Sequence, residues 1–90
     1  MIRSKWPTLK KFLENCIARL QMIDLPAQQA ARNYVNNIPD WEKEQLIQNT
    51  EQFLEAVEEN LEEYHELAWS SLSAQQVRDF MGSLLAEMRK

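Results

Sequence analysis

Apolar residues recur at helical spacing along nearly the whole chain, beginning with residues 7–23. Positions three and four apart in this first stretch fall on one face of a helix. Pro7 suits the first turn, because the N–H that proline lacks would have no helical partner there. The apolar face consists of Leu9, Phe12, Leu13, Cys16, Ile17, Leu20 and Ile23.

The second predicted helix is short and spans residues 26–37. Pro26 disfavours helix at the residue before it and therefore opens a new segment. The apolar face of this helix is made mainly of alanine, which lets a neighbouring backbone approach closely but buries little area. Its members are Ala27, Ala30, Ala31, Tyr34 and Ile38.

The third predicted helix is the longest and spans residues 40–70 without a glycine or a proline. Asp40 is the expected N-cap, and at 1.5 Å per residue the helix would be about 45 Å long. A break near Asn60 is compatible with the pattern, which does not require one. The apolar positions are Leu46, Ile47, Phe53, Leu54, Val57, Leu61, Tyr64, Ala68 and Leu72.

The fourth predicted helix spans residues 74–89 and carries a clear apolar stripe from Val77 to Met88. Ser73 and Gln76 have the spacing of a capping box, S-x-x-Q, which marks a helix N-terminus. The fold class is therefore all-α: four amphipathic helices in an antiparallel bundle around one long helix. With 90 residues, the chain is expected to form a single domain over residues 1–90.

The unequal helix lengths predict an apolar surface near the start of the long helix. The short last turn sets the fourth helix along the C-terminal half of the third. If the first helix continues beyond the second, only the alanine-faced second helix covers the N-terminal half. Trp41, Leu46, Ile47 and Phe53 would then be partly uncovered, as at a dimer seam or a partner groove. If the first helix instead folds back as a hairpin on the second, a monomeric bundle covers these residues.

Charge is distributed unevenly around a net charge of −4. Residues 40–66 contain ten acidic residues and one lysine, whereas the first 32 residues contain six basic and two acidic residues. This polarity bears on partners rather than on fold. No apolar run approaches the roughly 18 residues of a membrane span, and no secretory signal is apparent. A single cysteine excludes an intramolecular disulfide and favours a cytoplasmic location.

Glu62 and His65 form the most suggestive chemical motif, Glu-x-x-His on the third helix. The same motif supplies half of the di-iron site in ferritin-like bundles. A complete site needs a second half, which only a two-fold dimer or a borrowed carboxylate supplies here. At about 100° per residue, Glu62 also lies away from the centre of the apolar stripe, whereas a di-iron ligand should point inward.

Other chemistries have less support in the sequence. Clustered glutamates also hold Mg²⁺ in nucleotide pyrophosphatases, but the fourth helix offers only Asp79 and Glu87, both off its apolar stripe. Cys16 with His65 as its base would form a nucleophilic pair, yet a free cysteine inside an apolar stripe packs as a small hydrophobe. The basic start is a weak footprint for nucleic acid, and the acidic helix would repel phosphates.

The sequence therefore predicts a non-enzymatic protein-binding module, an adaptor, inhibitor or immunity-type regulator that acts through the long acidic helix. The expected partner is another protein, which includes a second copy of the chain in a homodimer. No cofactor, nucleic acid or membrane is expected. The alternative is a metal-binding helical protein whose Glu62 and His65 half-site is completed by dimerisation. The residues predicted to bind the partner are Trp41, Leu46, Ile47, Glu51, Phe53, Glu55, Glu58, Glu62 and Trp69.

Overall fold

The N-terminal part of the chain is helical from Ile2 onward, but not as one regular helix. The computed structural model describes residues 2–22 and 25–90. Helix α1 (Ile2–Lys5) precedes helix α2 (Pro7–Phe12), which continues as a π-helical turn (Leu13–Ile17) and a 3₁₀ turn (Ala18–Gln21). The apolar face predicted for this segment is buried from Leu9 to Ile17, while Leu20 is partly buried. Ile23 lies outside the described residues.

The rest of the chain is also helical, which confirms the all-α class. Helix α3 (Ala27–Asn36) is followed by α4 (Asp40–Leu54), a 3₁₀ turn (Glu58–Asn60), α5 (Leu61–Ala68) and α6 (Ala74–Met88). Within residues 2–22 and 25–90 no strand is present. The principal-axis extents of 29 × 28 × 19 Å leave no room for a straight rod of about 45 Å.

The prediction of one long helix over residues 40–70 is wrong, because α4 ends at Leu54 and α5 begins at Leu61. Glutamates four apart, such as Glu55 and Glu59, repel each other in an α-helix. The Asn60 side chain also donates a hydrogen bond to the Ala56 carbonyl at 2.9 Å, which competes with regular helix pairing. Residues 55–57 form a turn and residues 58–60 a 3₁₀ turn, so α4 and α5 are separate helices.

This break changes which helices cover α4. Helix α2 packs along one side of α4 and α6 along another, while α3 packs mainly against α6. Helix α6 begins beside the 3₁₀ turn, where Arg78 lies 3.3 Å from Glu58, and ends where Arg89 lies 2.6 Å from Glu51. It is thus antiparallel to α4, rather than lying along the C-terminal half of a continuous third helix.

Helix α2 is fixed to α4 by side-chain hydrogen bonds along its length. The Trp6 indole N–H donates to Gln52 Oε1 at 2.7 Å, and the Thr8 hydroxyl lies 3.1 Å from Gln45 Oε1. Lys11 Nζ lies 3.3 Å from a carboxylate oxygen of Glu42. Because α2 and α6 both pack on α4, Leu46 and Phe53 are each 0 % exposed. The prediction that they are partly uncovered is therefore wrong.

Polar side-chain contacts hold helix α3 against α6, in addition to the packing of the alanine face of α3. Arg32 Nη2 lies 2.6 Å from Glu87 Oε2, and Gln28 Nε2 lies 3.1 Å from the Ser83 hydroxyl. The hydrogen bond from Arg32, aided by one from Lys90, holds the pKa of the Glu87 carboxyl below its ordinary value. The alanine face predicted for this helix thus serves to bring α3 close to α6.

Helix α6 begins at the predicted capping box, which the structure confirms. The Gln76 backbone N–H donates to Ser73 Oγ at 3.2 Å, and the Ser73 backbone N–H donates to Gln76 Oε1 at 2.9 Å. Both bonds satisfy N–H groups that the first helical turn leaves without partners.

We expect Ser73→Ala to lower the free energy of unfolding by about 1 kcal/mol, because the Gln76 N–H then loses its acceptor. Urea denaturation followed by circular dichroism measures this change. Ser71→Ala, on an exposed residue of the preceding loop, is the control and should change the midpoint little. Equal stability of the two variants would show that the capping box does not stabilise α6.

Candidate functional site

The structure divides the predicted partner-binding residues into buried and exposed groups. Leu46 and Phe53 belong to the core, and Ile47 is half-buried with its side chain packed against that core. These three residues form no apolar seam on the surface. Trp41 and Trp69, in contrast, are 63 % and 64 % exposed. The two tryptophans are therefore the predicted apolar anchors that are largely exposed.

Trp69 stands out because its backbone is left-handed, with φ 54° and ψ 50°. Within the described part of the chain it is the one non-glycine residue with a positive φ. It ends α5, where the His65 carbonyl accepts hydrogen bonds from the backbone N–H groups of Trp69 and of Ser70, the latter at 3.1 Å. Glycine is the usual residue at such a helix end. A side chain there costs roughly 1–2 kcal/mol of backbone strain.

Two surface cavities adjoin the Trp69 side chain. The larger has a volume of about 640 Å³ and lies toward the end of the N-terminal helical segment. Its walls include Arg19 and Met22, and Met22 is 78 % exposed. The smaller has a volume of about 290 Å³ and lies toward α6, with Tyr64 and Phe80 in its walls. An exposed aromatic ring between two concavities is a shape that suits recognition of another molecule.

The acidic residues lie on the stretch that leads to Trp69. Of the predicted set, Glu51 pairs with Arg89 and Glu58 pairs with Arg78. Glu55 and Glu62 are exposed and have no ion-pair partner among the residues described. Glu59 is also exposed at the surface. This stretch, residues 55–66, is called the acidic segment below.

Among the described residues, Glu62 and His65 are not part of a larger cluster of potential metal ligands. In the described residues no three His, Cys, Asp or Glu side chains lie close enough together to hold a metal ion. His65 Nε2 lies 2.7 Å from the Leu72 carbonyl oxygen, which can only accept, so this nitrogen donates. The bond ties the loop after Trp69 back onto α5. Completion of the half-site by dimerisation stays a prediction.

Cys16 is buried on the π-helical turn. Burial raises the pKa of its thiol to about 11, so the thiolate that a nucleophile requires is scarce at neutral pH. The interpretation of Cys16 as a core residue is therefore supported, and its pairing with His65 as a nucleophile is not.

Sequence reasoning proposed Trp69 as a candidate anchor but missed its surroundings. Ser70 and Ser71 indicate a turn after Trp69, but without a glycine or asparagine the sequence gives no signal for a left-handed residue. Met22 and the two cavities have no local signal, because they depend on how the N-terminal segment packs against α5.

No protein-family model, no curated protein and no solved structure matches the chain. In the described ranges, no helix combines the length and the apolar character needed to cross a membrane.

Proposed function

We propose that this chain is a non-enzymatic, cytoplasmic protein-binding module of the adaptor, inhibitor or regulator kind. Its binding surface is the Trp69 corner, defined as Trp69, Met22 and the larger cavity between them, together with the acidic segment. The observation that carries the proposal is the exposed Trp69 indole on a left-handed backbone.

The backbone strain at Trp69 supports a binding role. A glycine or asparagine would adopt this conformation at less cost, and the indole recovers little of that cost by burial because it is largely exposed. Strained residues persist where the surrounding structure holds them, and they cluster at functional sites. Tryptophan is also enriched among the residues that dominate the binding energy of protein interfaces.

Charge indicates what kind of protein the surface suits. The acidic segment places Glu55, Glu59 and Glu62 at the surface, on the stretch that ends at Trp69. A partner with a basic rim and an apolar pocket for the indole would complement both features. A second copy of the chain fits this surface less well, because two-fold symmetry would bring two acidic segments together.

The proposal predicts that Trp69→Gly weakens partner binding by about 10- to 100-fold. Glycine adopts the left-handed conformation at the end of α5 without strain, which raises stability. Loss of the apolar surface that the indole covers lowers stability. Because the two effects oppose each other, the free energy of unfolding should change by less than about 1 kcal/mol. Wild-type and variant chains, immobilised as baits in an extract of the native host, identify the partner, and calorimetry with the purified partner then measures the affinity.

Trp41→Ala is the matched control, because Trp41 has nearly the same exposure on the first turn of α4. It should retain the same partner with unchanged affinity. Light scattering of the bait alone tests self-association. If Trp69→Gly captures the same proteins with equal affinity, the Trp69 corner is not the binding surface. Loss of binding in Trp41→Ala alone would place the site at the N-terminal end of α4.

A further inference from the structure

Met22 has the most exposed large apolar side chain in the part of the chain that the structure describes. It is 78 % exposed, follows the 3₁₀ turn that ends the N-terminal helical segment, and lines the larger cavity together with Trp69. The other two methionines described, Met81 and Met88, lie on α6 and are each 0 % exposed. Of these three thioethers, one is therefore open to reagents in solvent and two are enclosed in the core.

This contrast in exposure sets how readily the thioethers react with peroxide. Hydrogen peroxide must reach the sulfur atom, whose lone pair attacks one peroxide oxygen. The S–O bond forms as the O–O bond breaks, and water leaves, so the sulfur is oxidised and the peroxide is reduced. The product, methionine sulfoxide, is polar, and thiol-dependent reductases return it to methionine.

The Cys16 thiol does not compete with Met22 for peroxide. Cysteine oxidation proceeds through the thiolate and needs access to the sulfur. Cys16 is buried, and burial raises the pKa of its thiol to about 11. The exposed thioether is therefore the sulfur that peroxide reaches first among the residues described.

The position of Met22 determines what its oxidation does to the molecule. Met22 belongs to the Trp69 corner, so the sulfoxide puts a polar S=O group beside the apolar surface that the corner offers. An apolar pocket that covers this group removes it from water, which costs free energy unless the pocket supplies a hydrogen bond. Oxidation therefore opposes binding at this corner.

We propose that Met22 is a site of reversible oxidation by peroxide, and that the sulfoxide weakens partner binding at the Trp69 corner. The effect on binding rests on the proposed function, whereas the selective oxidation of Met22 does not. A bound partner covers Met22, so binding in turn should slow the oxidation of this residue.

Trypsin separates the methionines, which allows their oxidation rates to be compared within one chain. Met22 lies alone in the peptide 20–32, Met81 and Met88 share the peptide 79–89, and Met1 falls in the peptide 1–3. The full chain is treated with hydrogen peroxide, the reaction is stopped with catalase, and the peptides are measured by mass spectrometry. In the native chain, the peptide 20–32 should gain one oxygen about tenfold faster than the peptide 79–89 gains its first.

The same reaction in denaturing urea is the control for burial, and the rates per methionine should then be equal. Equal rates in the native chain would overturn the proposal, because they would show that exposure does not make Met22 selective.

Met22→Leu is the matched variant, because leucine is apolar, similar in size and without sulfur. In ¹H–¹⁵N spectra, the indole N–H resonance of Trp69 should move after peroxide treatment of wild type and stay in place in Met22→Leu. The resonance of the buried Trp6 indole should stay in place in both chains. A Trp69 resonance that ignores the Met22 sulfoxide would overturn the proposal, since the sulfoxide would then lie outside the corner.

Binding to the purified partner is measured after the peroxide has been removed. Oxidised wild type should bind about 3- to 10-fold more weakly than reduced wild type, and methionine sulfoxide reductase with a thiol should restore the affinity. Met22→Leu should bind equally before and after peroxide. If oxidation leaves the affinity unchanged while Trp69→Gly lowers it, the inference on Met22 fails and the proposed function stands. If Trp69→Gly binds normally, the proposed function fails and the effect of oxidation on binding fails with it.

Discussion

A Phe53→Asp variant is expected not to fold. Phe53 is 0 % exposed, with its ring stacked on Tyr64 at 5.5 Å and in edge contact with Trp6 at 6.2 Å. Removing a buried phenylalanine ring costs about 3–5 kcal/mol, and an unpaired buried carboxylate adds several more. The whole free energy of unfolding of a domain of this size is about 5–13 kcal/mol. Circular dichroism should therefore show loss of helix, without a cooperative urea transition.

Phe53→Leu is the control for this experiment, because it keeps an apolar side chain and leaves only part of the ring volume empty. It should fold, with a lower urea midpoint and a cooperative transition. The contradictory outcome is a Phe53→Asp chain that keeps its helicity and loses only self-association. That result would place Phe53 on a dimer seam, as the apolar pattern along the chain had suggested.

We also expect Ile2→Ala to lower the free energy of unfolding by about 2–4 kcal/mol. Ile2 is fully buried although it lies in the four-residue helix α1, and its backbone N–H donates to Glu63 Oε1 at 2.7 Å. The substitution leaves a cavity where α1 meets the core, while the backbone bond to Glu63 can remain. Urea denaturation monitored by circular dichroism measures the change.

Lys5→Ala, on an exposed residue of the same short helix, is the matched control and should change stability by less than about 0.5 kcal/mol. A tolerant Ile2→Ala chain, with a midpoint equal to that of Lys5→Ala, would show that α1 does not contribute to the core in solution.

Most of the helical structure could be predicted from local periodicity. The 3.6-residue pattern located α3 and α6 to within one residue at their starts, and the Ser73 capping box marked the start of α6 correctly. The pattern could not predict the short helix at Ile2, which is too brief to show periodicity. It also could not predict the π-helical turn at Leu13–Ile17, since the apolar residues across it keep the three- and four-residue spacing of an ordinary α-helix.

The break between α4 and α5 had a signal in the sequence that apolar spacing alone does not reveal. The break contains Glu55 and Glu59, which are four apart, and Asn60, which can bond its own backbone. The apolar positions on both sides stayed in helical register, so the spacing favoured continuity. The prediction of an exposed apolar seam was wrong for this reason, because it assumed a straight helix over residues 40–70.

The exposed part of the site was more predictable than the buried part. Trp69 and Trp41 were predicted as anchors because tryptophan is common at interfaces, and both are exposed. The cavities beside Trp69 arise where α5, the N-terminal segment and the following loop meet. Such concavities depend on packing between residues far apart in the sequence, which no local pattern records.

The three tryptophans occupy different environments, and this gives the molecule built-in optical probes. The Trp6 indole is buried and donates to Gln52, whereas those of Trp41 and Trp69 are largely in water. Emission from Trp6 should therefore report unfolding through a red shift. Emission from Trp69 should respond to an arriving binding partner and be open to quenching by iodide beforehand. A chain that retains only one of these indoles would follow either event without an added dye.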